Sequence, residues 1–165
     1  MKTSVFLLVL FVGVASWAPA VGTSSGGSSS GGSGGNKSSV STSPVSAADW
    51  YDVGYKTSQA GRYADAIESF KKAIALNAKY AEAYNMMGFC TRKLGNVTEA
   101  FAYYDKALAL KPNFPEAREY YGEAWLEAGD LAKAVKQYVI LQKAGNKNAQ
   151  ELLEKIDQFV NLTKS

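Results

Sequence analysis

The sequence predicts an all-α fold, an α-solenoid of three helix-turn-helix repeats that ends in a C-terminal capping helix. Three observations indicate it: a period of 34 residues, apolar side chains at helical spacing within each period, and glycine or proline between the apolar segments. Each repeat in such a fold packs only on its neighbours, so the core is continuous and one face of the stack is concave.

The first 20 residues have the pattern of a secretory signal peptide. One basic residue, Lys2, precedes an apolar run from Val5 to Ala15. Ala18, Pro19 and Ala20 then give the Ala-x-Ala pattern of a cleavage site. We expect cleavage after Ala20. An uncleaved anchor is the alternative, but spanning a membrane takes about 20 apolar residues and the run is shorter.

Residues 21–46 are predicted to be a disordered linker. Ser occupies 10 and Gly 7 of the 22 positions in 22–43, where Val40 is the only sizeable apolar residue. Such a segment has too little apolar surface to offset the entropy of ordering it. It is a spacer, or a tether if the signal is retained. At its end, Ser46 and Asp49 have the spacing of a capping box that opens the first helix.

Glycines reveal the period in residues 47–146. Six of the seven glycines after residue 46 form two series with a step of 34, Gly54, Gly88, Gly122 and Gly61, Gly95, Gly129. The same step links Ala66, Ala100, Ala134 and Phe70, Tyr104, Tyr138. An internal repeat accounts for this agreement, with units at 47–80, 81–114 and 115–146.

The second unit shows the helix-turn-helix pattern of each unit. Tyr84 and Gly88 share one face of a first helix, and Gly95 is placed for a left-handed turn. A second apolar stripe follows until Pro112, since proline disfavours helix at the residue before it. Small residues such as Gly88 let the two helices approach closely, while Tyr104 fills the space beside them.

A last helix is predicted within the C-terminal segment 147–165. Its apolar residues fall on one face, namely Leu152, Leu153, Ile156, Phe159 and Val160. Polar residues cover the opposite face. A solenoid needs such a polar-backed cap to stay soluble.

Composition excludes several classes of function. The chain has no His and one Cys, Cys90, so the usual general base, a zinc cage and an internal disulfide are absent. Cys90 is expected to be buried between helices. Residues 47–165 carry 16 basic and 15 acidic residues, which is too balanced for a nucleic-acid binder. We therefore expect no enzyme, cofactor, metal, nucleic acid or small-molecule substrate.

The repeat resembles the tetratricopeptide repeat family, which alternates aromatic, glycine, alanine and proline residues at these spacings. The matching residues of the second unit are Tyr84, Met87, Gly88, Thr91, Ala100, Tyr104, Ala107 and Pro112. Those of the first are Trp50, Val53, Gly54, Thr57, Ala66, Phe70, Ala73 and Ala78. The third unit departs at Arg118 and Leu141, as an atypical terminal repeat does. The resemblance implies a right-handed solenoid whose first helices line a concave groove.

This resemblance implies a protein-interaction adaptor that binds a partner peptide or helix in the groove. The predicted contact residues run from an aromatic end through a basic middle to an acidic end: Tyr51, Tyr55, Asn85, Phe89, Arg92, Lys93, Glu116, Glu119 and Glu123. Some family members clamp a terminal carboxylate with basic residues. Here the corresponding positions hold no basic residue and include Glu116, so that activity is not expected.

Several alternatives remain open at this point. The acidic residues of the fifth helix, among them Glu119 and Glu123, are interpreted first as a solvated face and second as a surface for a basic partner. By analogy with exported family members, we expect the periplasm, with secretion as the alternative. The chain could instead be an accessory subunit of an envelope enzyme or assembly complex, held at a membrane only if residues 1–20 are retained, or it could self-associate.

Overall fold

A computed structural model describes residues 46–164 of the chain. The predicted signal peptide and nearly all of the predicted linker lie outside the described residues. Within the described part, every regular element is an α-helix. The helices are α1 Ala47–Gln59, α2 Tyr63–Leu76, α3 Ala81–Lys93, α4 Val97–Leu110, α5 Pro115–Glu127, α6 Leu131–Lys143 and α7 Asn148–Lys164.

Successive helices pack in pairs, α1 with α2, α3 with α4 and α5 with α6, and each pair packs on the next. The first helices α1, α3 and α5 also contact one another in order, and α7 packs against α5 and α6. This is the predicted solenoid of three helical pairs with a capping helix. No helix in the 46–164 region is long and apolar enough to cross a membrane.

Close approach of the paired helices depends on glycine, as the sequence predicts. A Cβ atom at Gly88 would lie 2.7 Å from Cε1 of Tyr104, and one at Gly54 would lie 2.7 Å from Cε1 of Phe70. In the third pair the neighbour of Gly122 is different. A Cβ there would lie 2.5 Å from Cδ2 of Leu152, so the capping helix α7 fills the space.

The capping box and the left-handed glycine turn predicted at two helix ends are both present. The backbone N–H of Asp49 donates to Oγ of Ser46 at 3.1 Å, and the N–H of Ser46 donates to Oδ2 of Asp49 at 3.0 Å. Gly95 ends the turn after α3 with φ of +88°, a conformation that side chains disfavour. These two devices fix where α1 begins and where α3 stops.

Cys90 is fully buried in the core formed by the first two pairs, which confirms its predicted packing role. Burial raises the pKa of its thiol to about 12. The thiol therefore stays protonated and unreactive at neutral pH.

Candidate functional site

The concave face carries two cavities along the row of first helices. The aromatic cavity, of about 340 Å³, is lined by Tyr51, Tyr55, Glu82, Asn85, Met86, Phe114, Glu116 and Tyr120. The distal cavity, of about 300 Å³, lies where α3, α5 and α7 meet and is lined by Arg92, Lys93, Glu123, Leu126, Glu127, Lys155, Gln158, Phe159 and Leu162. Both are lined in part by residues of α3 and α5.

Most of the predicted contact residues line one cavity or the other. Tyr51, Tyr55, Asn85 and Glu116 line the aromatic cavity, and Arg92, Lys93 and Glu123 line the distal cavity. Phe89 lies between them, with its ring centroid 5.2 Å from that of Tyr120 and 6.0 Å from that of Tyr63. Glu119 lines neither. Whether these residues bind a partner stays a prediction.

Tyrosine rings form the wall of the aromatic cavity on α1. The rings of Tyr51 and Tyr55 are stacked with centroids 6.2 Å apart, and Tyr51 lies 5.1 Å from the ring of Tyr80. Tyr55 is 45% exposed, so part of its ring is open to a partner. Burial, aided by Tyr80 and Glu82, raises the pKa of Tyr51 to about 12, so its hydroxyl is a neutral donor at physiological pH.

Asn85 lies on α3 and lines the same cavity from a buried position. Its side chain belongs to a residue that is only 3% exposed, yet its Oδ1 has no hydrogen-bond partner among the described residues. A buried acceptor without a partner costs free energy, so such atoms are rare in native structures. The aromatic cavity is thus lined by a residue whose side-chain acceptor has no partner among the described residues.

Arg92 was predicted to be an accessible cation in the basic middle of the groove, but in the structure it is buried. Its guanidinium is buried, with Nη2 donating to Oε2 of Glu123 at 2.6 Å and Nη1 donating to Oε1 of Glu127. Burial opposes this charge, but Tyr104 and the two glutamates hold the pKa of Arg92 above its ordinary value. The charge of Arg92 is thus satisfied inside the fold. Lys93, the next residue, and Lys155 of α7 are the exposed cations that line the distal cavity.

The interpretation of the acidic residues as a solvated face is wrong for Glu119, which is buried. It is 7% exposed, and Nδ2 of Asn148, the first residue of α7, donates to its Oε2. The repeat pattern did not indicate this burial, because the start of α7 has no counterpart in the earlier repeats. Of the same stripe, Glu116 and Glu127 are exposed and Glu123 is partly buried.

Burial of Glu119 predicts a pH-dependent stability. Burial raises the pKa of this carboxyl from its usual 4.5 to about 7, opposed by the hydrogen bond from Asn148 and reinforced by Glu151 and Glu123. Since the folded state then binds the proton more tightly than the unfolded state, stability falls as pH rises from about 4.5 to about 7 and levels off above.

The change Glu119→Gln should therefore stabilise the protein at pH 8, by on the order of 1 kcal/mol, because it keeps an acceptor for Asn148 without a buried charge. Urea unfolding of the full chain between pH 5 and pH 8 measures the effect. Glu116→Gln, an exposed change on the same helix, is the control and should keep the wild-type pH slope. A Glu119→Gln variant with that same slope would contradict the assignment.

Comparison with known proteins places the chain among repeat proteins. A family model described as "Regulator of microtubule dynamics protein 1-3" matches residues 39–133. Among curated protein sequences, none matches the chain significantly.

Among solved structures, the second TPR domain of human RPAP3 in complex with the HSP70 peptide SGPTIEEVD is similar, with 27% identity and a TM-score of 0.59 over 67% of this chain and 94% of that one. MamA is 31% identical, with a TM-score of 0.54 over 68% of this chain and 61% of its own. The Yersinia enterocolitica chaperone SycD with a peptide of the translocator YopD shares the fold, at 21% identity and a TM-score of 0.60 over 72% and 94%. The predicted tetratricopeptide repeat fold is confirmed.

Proposed function

The chain belongs to the regulator of microtubule dynamics protein 1-3 family, and from its groove we propose that it is a non-enzymatic adaptor that binds an extended or helical segment of a partner protein on the concave face of its tetratricopeptide repeats. One observation carries this proposal. The aromatic cavity presents the exposed ring of Tyr55 and two partly buried tyrosine rings beside Asn85, whose buried Oδ1 has no partner among the described residues.

Aromatic rings held in place by their neighbours are effective anchors for a partner segment. They bury a large area on binding and lose little conformational entropy, since stacking already restricts them. Two such rings among the predicted contact residues are that of Tyr55, which is exposed, and that of Phe89, which is partly buried. The similar RPAP3 and SycD structures each hold a peptide, which supports a peptide as the class of partner.

The double change Tyr55→Ala with Phe89→Ala should abolish partner capture, because truncating an anchor of this kind typically costs about 2 kcal/mol or more. The test is affinity capture with the full chain from an extract of the source cells, with bound proteins identified by mass spectrometry. Circular dichroism should show that the helical signal of the double variant is retained.

Changes on the second helices provide the matched control. Lys71 and Lys72 lie on α2 and Lys106 on α4, so their replacement by Ala leaves the groove unchanged. These variants should capture the same partner as the wild type. If they lose the partner while the aromatic double variant keeps it, the binding surface is the convex face and the proposal is wrong.

Export remains part of the proposal and depends on residues 1–20 alone. We place the chain in the periplasm after cleavage at Ala20, with secretion as the alternative, and membrane attachment as an accessory subunit would need those residues to be retained. N-terminal sequencing of the chain purified from its native cells separates these cases. A mature N-terminus near residue 21 indicates cleavage, whereas an intact Met1 indicates an anchor or no export.

A further inference from the structure

We propose that the aromatic cavity receives a cationic side chain, a lysine or an arginine, from the partner segment. This inference rests on the proposed function, since it names the chemistry of the residue that the groove recognises. Three features of the cavity support it: carboxylates at its rim, tyrosine rings on its walls and the unsatisfied carbonyl of Asn85.

The charged residues that line the cavity are the carboxylates Glu82 and Glu116, and Lys111 lies beside them with its Nζ 4.4 Å from the ring centroid of Phe114. Glu116 is exposed at the rim and makes no salt bridge with another described residue. Glu82 lines the cavity too, although it accepts a hydrogen bond from Nζ of Lys111 at 2.7 Å. None of the residues that line the cavity is itself basic. An anionic group of a partner would meet like charge here, whereas a cation would find an available carboxylate at Glu116.

Tyrosine rings add a second attraction for a cation. Tyr51, Tyr55 and Tyr120 line the cavity from α1 and α5, and each ring face carries the negative side of its quadrupole. A lysine or arginine within about 6 Å of a ring centroid is attracted to it, most strongly where water is displaced. The aliphatic stem of the same side chain can pack against Met86, which also lines the cavity.

Asn85 supplies the third feature, because an amide oxygen accepts hydrogen bonds and a cationic side chain offers only donors. The Oδ1 atom lies inside the fold without a partner. Asn85 itself lines the cavity, so a donor bound there lies next to its side-chain amide. A cationic group that reached this oxygen would pair an acceptor that has no partner among the described residues.

A display library of random dodecapeptides, selected on the immobilised full chain, tests the proposal. The selected peptides should be enriched in lysine or arginine at one position relative to the unselected library. A synthetic copy of one selected peptide should bind about tenfold more tightly than the same peptide with norleucine at that position, which keeps the stem and removes the charge.

Glu116→Gln should weaken the basic peptide and leave the norleucine peptide unchanged, so the tenfold difference between them should shrink. The matched control is Asp157→Asn, which removes one negative charge from the exposed face of α7 and should change neither affinity. Glu116→Lys should remove the enrichment for basic residues from a repeated selection.

The outcomes separate this inference from the proposed function. Selected peptides that lack a basic preference but lose binding to the Tyr55→Ala, Phe89→Ala variant would overturn the cationic pocket and leave the groove as the binding site. Basic peptides whose affinity is the same for wild type and Glu116→Gln would also overturn it, since their charge is then recognised elsewhere. Failure to select any peptide would contradict both.

Discussion

Gly88→Leu should destabilise the repeat stack severely, with a loss of about 3 kcal/mol or more in the free energy of unfolding. A Cβ alone at this site would lie 2.7 Å from Cε1 and 2.9 Å from Cδ1 of Tyr104. The Tyr104 ring is fully buried and packs against the ring of Tyr121 at 5.7 Å, so it has no free space to enter. Relief of the overlap therefore requires α3 and α4 to separate.

Thermal and urea unfolding of the full chain measure this effect, and Ala102→Leu is the matched control. Ala102 is exposed on α4, where the same added side chain meets water. The control should unfold near the wild-type temperature, whereas Gly88→Leu should lose more than 10 °C, at roughly 4–8 °C per kcal/mol. An unchanged melting temperature for Gly88→Leu would mean that the two helices do not meet at this glycine.

Removing the tyrosine ring should relieve part of the penalty. In a Tyr104→Leu background the ring atoms Cε1 and Cζ, which lie 2.7 and 3.0 Å from a Cβ at position 88, are absent. The smaller change Gly88→Ala should then cost less than it does beside the native ring, so the two changes should be clearly non-additive. Strict additivity would show that the destabilisation comes from helix backbone effects rather than from the contact.

The repeat architecture was predictable from the sequence because each unit repeats its own local signals. Gly88 and Tyr104 recur in register in the other units, and the helix ends have capping and turn residues of known geometry. The residue opposite Gly122 was not predictable in this way. Periodicity would suggest Tyr138, but the structure places Leu152 there because α7 packs directly on α5.

The charges of the groove were predicted less well than its aromatic residues. An aromatic residue on the inner face of a first helix lies near the groove whichever residues surround it. A charged residue in the same place is exposed or buried depending on whether an oppositely charged side chain lies next to it. Arg92 pairs with residues 31 and 35 positions later, on either side of the 34-residue period, and so becomes buried. Oppositely charged residues about one period apart on first helices are the signal that would have revealed this pair.

Arg92→Met should destabilise the fold by about 3–5 kcal/mol, the largest effect expected for a single change. The side chain of Arg92 is 2% exposed, and its guanidinium bridges Glu123 and Glu127 from α3 to α5. Without it, Glu123, whose side chain is 17% exposed, keeps a poorly solvated charge and loses its ion-pair partner. Glu127 is 43% exposed and can turn to water, so the penalty arises mainly at Glu123. Urea unfolding measures the loss.

The double change Arg92→Met with Glu123→Leu should recover most of this loss, because it replaces the buried ion pair by apolar side chains of similar size. The recovery should change little between low and high salt, since a buried pair is screened far less than an exposed one. A contrasting control is Lys71→Met, which removes an exposed pair with Glu68 and should cost less than about 1 kcal/mol. If the double variant is as unstable as Arg92→Met alone, the packing of the arginine stem, and not the stranded carboxylate, explains the loss. A neutral Arg92→Met would instead mean that water reaches the pair and that Arg92 is available to the groove after all.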